Sequence, residues 1–182
     1  MKVAALLSTV VLCAFAARAR AADNDPRIAR IRAWYSATER ALPSYHVVRR
    51  DLIDFSSQGG VLTAYLAGDT LAKLDAVFLE ERGRATETYY LHADSVYFVS
   101  RVVGKYDLSM DGRLIHRVQY RMYFDRDSLI RWIDTTGKDL SLKSRAAEEE
   151  TRQDLTQVRI LVACAKLEGS AQSCEKPARD ST

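Results

Sequence analysis

The chain has 182 residues, with 27 Lys and Arg against 24 Asp and Glu and a formal net charge of +3. That length suits one domain with a substantial core, and no Pro/Ser-rich linker divides it. Three cysteines and three scattered histidines (His46, His92, His116) show no ligand spacing, so no Cys/His metal site is expected.

Met1 to Ala21 reads as a secretory signal peptide. Lys2 supplies a positive start, Val3 to Ala17 is an apolar run, and Ala19-Arg20-Ala21 is a small-x-small cleavage site. The run is too short to span a bilayer. Leu12 stands before Cys13 where a lipid anchor would want a small residue. Lys2, Arg18 and Arg20 leave with the segment and no acid does, so 24 basic residues face 24 acidic ones afterwards. A neutral domain offers no global footprint for nucleic acid or an anionic membrane. The expected location is periplasmic or secreted. The two remaining cysteines, Cys164 and Cys174, are expected to form a disulfide in that compartment.

Asp25-Pro26 opens a helix, with Asp to accept from orphan amides and Pro tolerated in the first turn. Ile28, Ile31, Trp34, Tyr35 and Leu42 fall at helical spacing, and Pro43 ends the run. From Tyr45 to about Leu142 the period drops toward two. Strands are predicted at Tyr45 to Phe55, Val61 to Ala67, Thr70 to Leu79, Ala85 to Leu91, Ser95 to Val103, Leu114 to Phe124 and Ser128 to Ile133. A last short strand is predicted around Leu140.

One phrase recurs along this stretch: YLAGDTLAKLD from Tyr65, YLHADSVYFVS from Tyr90 and YFDRDSLIRWI from Tyr123. Each has an aromatic-apolar pair, turn residues ending in Asp, Ser or Thr, then Leu or Val. Another apolar residue follows three positions later (Leu74, Val99, Trp132). Turn chemistry between apolar runs marks β-hairpins, and three in series make an antiparallel meander. Alternation puts Leu62, Ala64, Tyr89, Leu91, Tyr120, Met122 and Phe124 on the core face. Thr63, Tyr65, Thr88, Tyr90, Arg121 and Tyr123 take the more polar face, with Lys73, Phe98 and Arg131 beside them. Trp132 is expected in the core beneath the helices with Leu74 and Val99.

Ser144 caps a final helix, with Glu148, Glu149 and Glu150 at its positive end. Leu155, Val158, Leu161, Val162 and Ala165 follow at helical spacing, and Gly169 is a stop. The predicted layout is a signal peptide at 1–21, one α+β domain at 22–168 and a polar tail at 169–182 tied by the disulfide. Within the domain, an antiparallel meander of about seven or eight strands has an N-terminal helix and a long C-terminal helix covering one face.

The phrase Tyr-x-x-x-Asp/Gly-x-Leu resembles the tyrosine-bearing hairpin units of MORN-type repeats and of the YD repeats of bacterial shell toxins. Tyr106-Asp107, followed by Asp111-Gly112-Arg113-Leu114, is similar to a looser copy of the second kind. Asp replaces Gly at Asp69, Asp94 and Asp127, and the tyrosines are 25 and then 33 residues apart. The resemblance implies hairpins and carries no implied activity.

For chemistry, the chain lacks GxSxG, HExxH, P-loop and Rossmann glycine patterns. Glu80, Glu81 and Glu87 surround one turn, where solvated charge is the ordinary reading. His116 alternates with Leu114 and Val118 and reads as a core-edge histidine. No catalytic residue, metal or cofactor is assigned, and the reading leans away from an enzyme. Tyr65, Tyr90, Tyr123, Arg121 and Arg131 are the candidate ligand-binding residues, expected together on a face partly open to water. The competing reading is that these tyrosines pack across strands. The expected function is an exported, non-enzymatic binding or envelope-associated domain whose partner is a protein or small molecule of the cell envelope. The alternatives are a helix-grip-like carrier of an apolar small molecule and a hydrolase without a recognisable motif.

Overall fold

A computed structural model describes residues 25–107, 114–167 and 172–177 of the chain. The signal-peptide reading of 1–21, the Asp111-Gly112-Arg113 part of the looser repeat copy and the helix stop at Gly169 lie outside the described residues.

Helix α1 (Pro26–Ala41) begins at the expected cap: the Asp25 carboxylate accepts the Arg27 amide at 2.8 Å, and Pro26 occupies the first turn. A 3-10 turn (Leu42–Ser44) containing Pro43 follows. Then come β1 (His46–Ile53), β2 (Gly60–Ala67), β3 (Thr70–Glu80), β4 (Gly83–His92), β5 (Ser95–Tyr106), β6 (Leu114–Asp125) and β7 (Ser128–Ile133). Helix α2 (Arg145–Ala165) starts where the Ser144 hydroxyl accepts the Ala147 amide at 3.2 Å, and β8 (Ser173–Glu175) follows it. Strands β1 to β7 each pair antiparallel with the next, in an eight-stranded sheet of order β7-β6-β5-β4-β3-β2-β1-β8. The chain is α+β, and among the described residues no helix is long and apolar enough to cross a membrane.

The repeated phrase is a bulged hairpin. Across β2–β3 the register jumps from Tyr65↔Lys73 to Leu66↔Leu71, leaving Ala72 unopposed. Tyr97 is left out in the same way between β4 and β5, and Ile130 between β6 and β7. One extra residue lets positions three apart share a face. That is why Leu71 and Leu74, and Val96 and Val99, are all buried in one core. The turns tighten to two residues. Ala93-Asp94 and Arg126-Asp127 hold positive φ at both positions, as a type I′ turn requires, and Gly68 supplies φ of 61° in the first hairpin. Gly60 is needed for another reason: a Cβ there would sit 2.2 Å from the Val77 carbonyl oxygen.

Three expectations are corrected. First, the sheet is mixed, because β8 pairs in parallel with β1. The tail was expected to be polar and tied down by the disulfide alone. Instead its backbone completes the edge of β1, with the Asp51 amide donating to the Gln172 carbonyl at 2.8 Å and the Lys176 amide to that of Ile53 at 3.0 Å. The Cys164–Cys174 disulfide, with Cα atoms 5.5 Å apart, joins this strand to the end of α2. The strand expected around Leu140 shrinks to one bridge between Ile133 and Asp139. Second, the helices cover opposite faces. Val158, Leu161, Cys164 and Ala165 of α2 pack on Leu62, Leu74, Tyr89, Val99 and Met122, together with Trp132. Ile28 and Ile31 of α1 form a separate core with Tyr90, Tyr97, Phe98, Tyr123 and Ile133. The face read as polar carries enough aromatic surface to take a helix of its own. Third, α2 is of ordinary extent: its 21 residues reach about 31 Å, less than the roughly 34 Å width of eight paired strands.

Candidate functional site

Strand register converts the second face into two cross-strand rows. The first runs Tyr65–Lys73–Tyr90–Phe98–Tyr123–Arg131 across β2 to β7, and the second Thr63–Asp75–Thr88–Ser100–Arg121–Ile133. All five candidate residues stand on this face, but α1 divides them. The rings of Tyr90 and Tyr123 lie beneath the helix, 4% and 7% exposed. Arg131 is 8% exposed and its Nε donates to Asp139 Oδ1 at 2.7 Å. The expectation that these residues stand open to water is therefore corrected. Packing of α1 removes the tyrosines from solvent, and the turn after β7 engages Arg131. Tyr65 and Arg131 sit at opposite ends of the first row, roughly 24 Å apart at the ordinary strand spacing, so they belong to no common contact area.

Polar contacts pin α1 to the row. Glu39 Oε1 accepts from the Tyr90 hydroxyl at 2.8 Å and from Lys73 Nζ at 3.2 Å. Burial and the adjoining Glu39 carboxylate push the Tyr90 hydroxyl far above its ordinary range. Burial alone would depress Lys73, but Asp75 and Glu39 outweigh it and hold its ammonium above the usual value. Lys73 Nζ also lies 5.3 Å from the ring centroids of both Tyr65 and Tyr90, a doubled cation–π contact. Farther along the helix, Thr38 meets the Tyr97 hydroxyl at 3.2 Å, and Trp34 stacks on His92 with centroids 4.3 Å apart. Arg30 donates to Asp125 at 2.9 Å.

Where α1 leaves the second row uncovered, a cleft of about 350 Å³ opens. Its floor is Thr88, Ser100, Gln119 and Arg121. Its walls are Tyr35, Tyr90, Phe98 and Tyr123, with Ile31 and Arg32 from the helix. Tyr35 is 38% exposed and meets Phe98 edge-on at 5.6 Å. This combination of aromatic walls and a few convergent polar groups, at a volume of this size, is what small-molecule sites present. Of the sequence candidates, Tyr90, Tyr123 and Arg121 meet here. Tyr35, Ser100 and Gln119 were not singled out. The available signal for Tyr35 was its place on the apolar side of α1, and for Ser100 its alternation with Phe98.

The opposite face holds a buried charged cluster that composition alone does not reveal. Arg101 Nε donates to Glu87 Oε1 at 2.8 Å, and its terminal nitrogens donate to Glu150 and Asp154 of α2. The Tyr89 hydroxyl donates to Glu87 Oε2 at 2.6 Å. Glu87 is therefore buried and engaged, not solvated at a turn; alternation with Tyr89 places it on the core face. His116, expected at the core edge, is exposed on β6, in a stretch exposed from Leu114 to Arg117. Among the described residues no group of His, Cys, Asp and Glu side chains has the arrangement of a metal site. Compared with protein families, curated proteins and solved structures, the chain matches none of them.

Proposed function

We propose that the chain is an exported, non-enzymatic binding domain that takes a small molecule in the cleft beside α1. The observation that carries this reading is the mixed aromatic and polar lining of that cleft, with Tyr90 of β4 and Tyr123 and Arg121 of β6 converging on it. The disulfide supports an oxidising compartment, periplasmic or extracellular, and the N-terminal pattern supports export through a cleaved leader. The hairpin resemblance to MORN-type and YD-type units supports the scaffold and names no ligand. A carrier gripping an apolar molecule under α2 is less well supported, since Leu62, Leu74, Tyr89, Met122 and Leu161 fill that side.

The test uses protein exported from the full-length chain and compared with a Ser100→Trp variant, whose indole would occupy the cleft. Native mass spectrometry is expected to show a small-molecule adduct on the first protein and none on the second, with equal melting temperatures. An adduct that survives in the variant would place the ligand elsewhere. Intact mass of the denatured protein is expected to begin at or near Ala22.

A further inference from the structure

Several cations on and beside the sheet are ion-paired. Arg101 faces three carboxylates, Lys73 meets Glu39 and Asp75, Arg131 is held by Asp139, and Arg30 by Asp125. Arg121 is half-buried on the cleft floor, and among the described residues it forms no ion pair. The residues that line this cleft include no Asp or Glu. Asp75, the one acid of the second row, is three strands away from Arg121, where it accepts from the Thr88 hydroxyl at 2.8 Å and pairs with Lys73. A half-buried guanidinium without a counter-ion keeps donors to offer a ligand, and its planar fork matches a carboxylate. Beside it stand Phe98 and the half-open ring of Tyr35, flat surfaces for a ring to lie against.

We propose that the cleft selects a small ring compound bearing a single carboxylate, with Arg121 binding the carboxylate and Phe98 and Tyr35 contacting the ring. The inference rests on the reading of the cleft as a binding site. An aromatic acid and a sugar acid share this chemistry, and matched probe pairs separate them: benzoate with benzamide, and glucuronate with glucose. Amide and arginine side-chain NMR shifts of the intact domain report on each titration. In one of the pairs the charged member is expected to bind about tenfold or more tightly than the neutral one, shifting Ser100, Arg121 and Tyr123. Arg121→Gln should remove that preference without changing the melting temperature, and Arg121→Lys should restore part of it. If charged and neutral members bind equally, or the preference survives in Arg121→Gln, the carboxylate assignment is wrong and the cleft remains a binding site. If no probe of either pair shifts the cleft residues up to its solubility limit, both readings fall.

Discussion

Asp154 shows how far one side chain departs from its solution chemistry. It is 1% exposed, Arg101 contacts one of its oxygens, and Oδ2 has no hydrogen-bond partner among the described residues. Burial raises its pKa, Arg101 pulls it down, and the nearby Glu87 and Glu150 charges raise it again, leaving it at about 7. Unfolded, an Asp titrates near ~3.9. Between those values the folded chain binds the extra proton, so this group's contribution to stability is full at low pH and is lost as pH rises through about 7. Asparagine cannot titrate and keeps the neutral shape. Asp154→Asn is therefore expected to gain stability relative to the native chain between about pH 4 and about pH 8, read from urea midpoints at each pH. A gain confined to the acid side would reverse the assignment.

At the level of elements, the Cys164–Cys174 bridge and β8 act together, because the disulfide holds a three-residue strand against β1. The bridge spans a separation of ten residues, so replacing both cysteines by alanine should cost about 2–3 kcal/mol in urea melts. The Asp51 and Lys176 amides should then exchange quickly with solvent; continued protection would show that strand pairing alone suffices. The hairpins, helix caps and face assignments were legible because each depends on residues close in sequence: Ser144 three before Ala147, Tyr65 beside its own turn. What could not be read was which helix meets which face. Ile28 and Ile31 announce an apolar stripe, but Phe98 and Tyr123 lie far along the chain, and alternation says nothing about their distant partner. The charged cluster failed for the same reason, since Glu87 and Arg101 meet Asp154 only after β4, β5 and α2 have packed. The site was half visible: repetition marked Tyr90 and Tyr123, while the cleft itself exists only where α1 stops covering the second row.

Taken whole, the molecule is one sheet between two unequal cores. The α2 side buries Tyr89, Phe124, Leu74 and Leu161 almost completely, whereas the α1 side rests on a shorter helix and the aromatic row. Regions with less buried apolar surface open at lower free energy. Native-state hydrogen exchange should therefore show α1 opening at lower denaturant concentrations than β4, β5 and α2, with a common opening energy for all four counting against two separable cores. Because β1 to β7 pair only with sequence neighbours, each hairpin can close as soon as its two strands exist. The exception is β8, made last and paired with β1, made first. Throughout synthesis and any passage across a membrane, β1 presents a bare backbone edge of the kind that recruits stray strands. Residues Ser173–Glu175 thus work as a closure for the first strand, and a chain truncated before Ser173 should aggregate before it loses its hairpins.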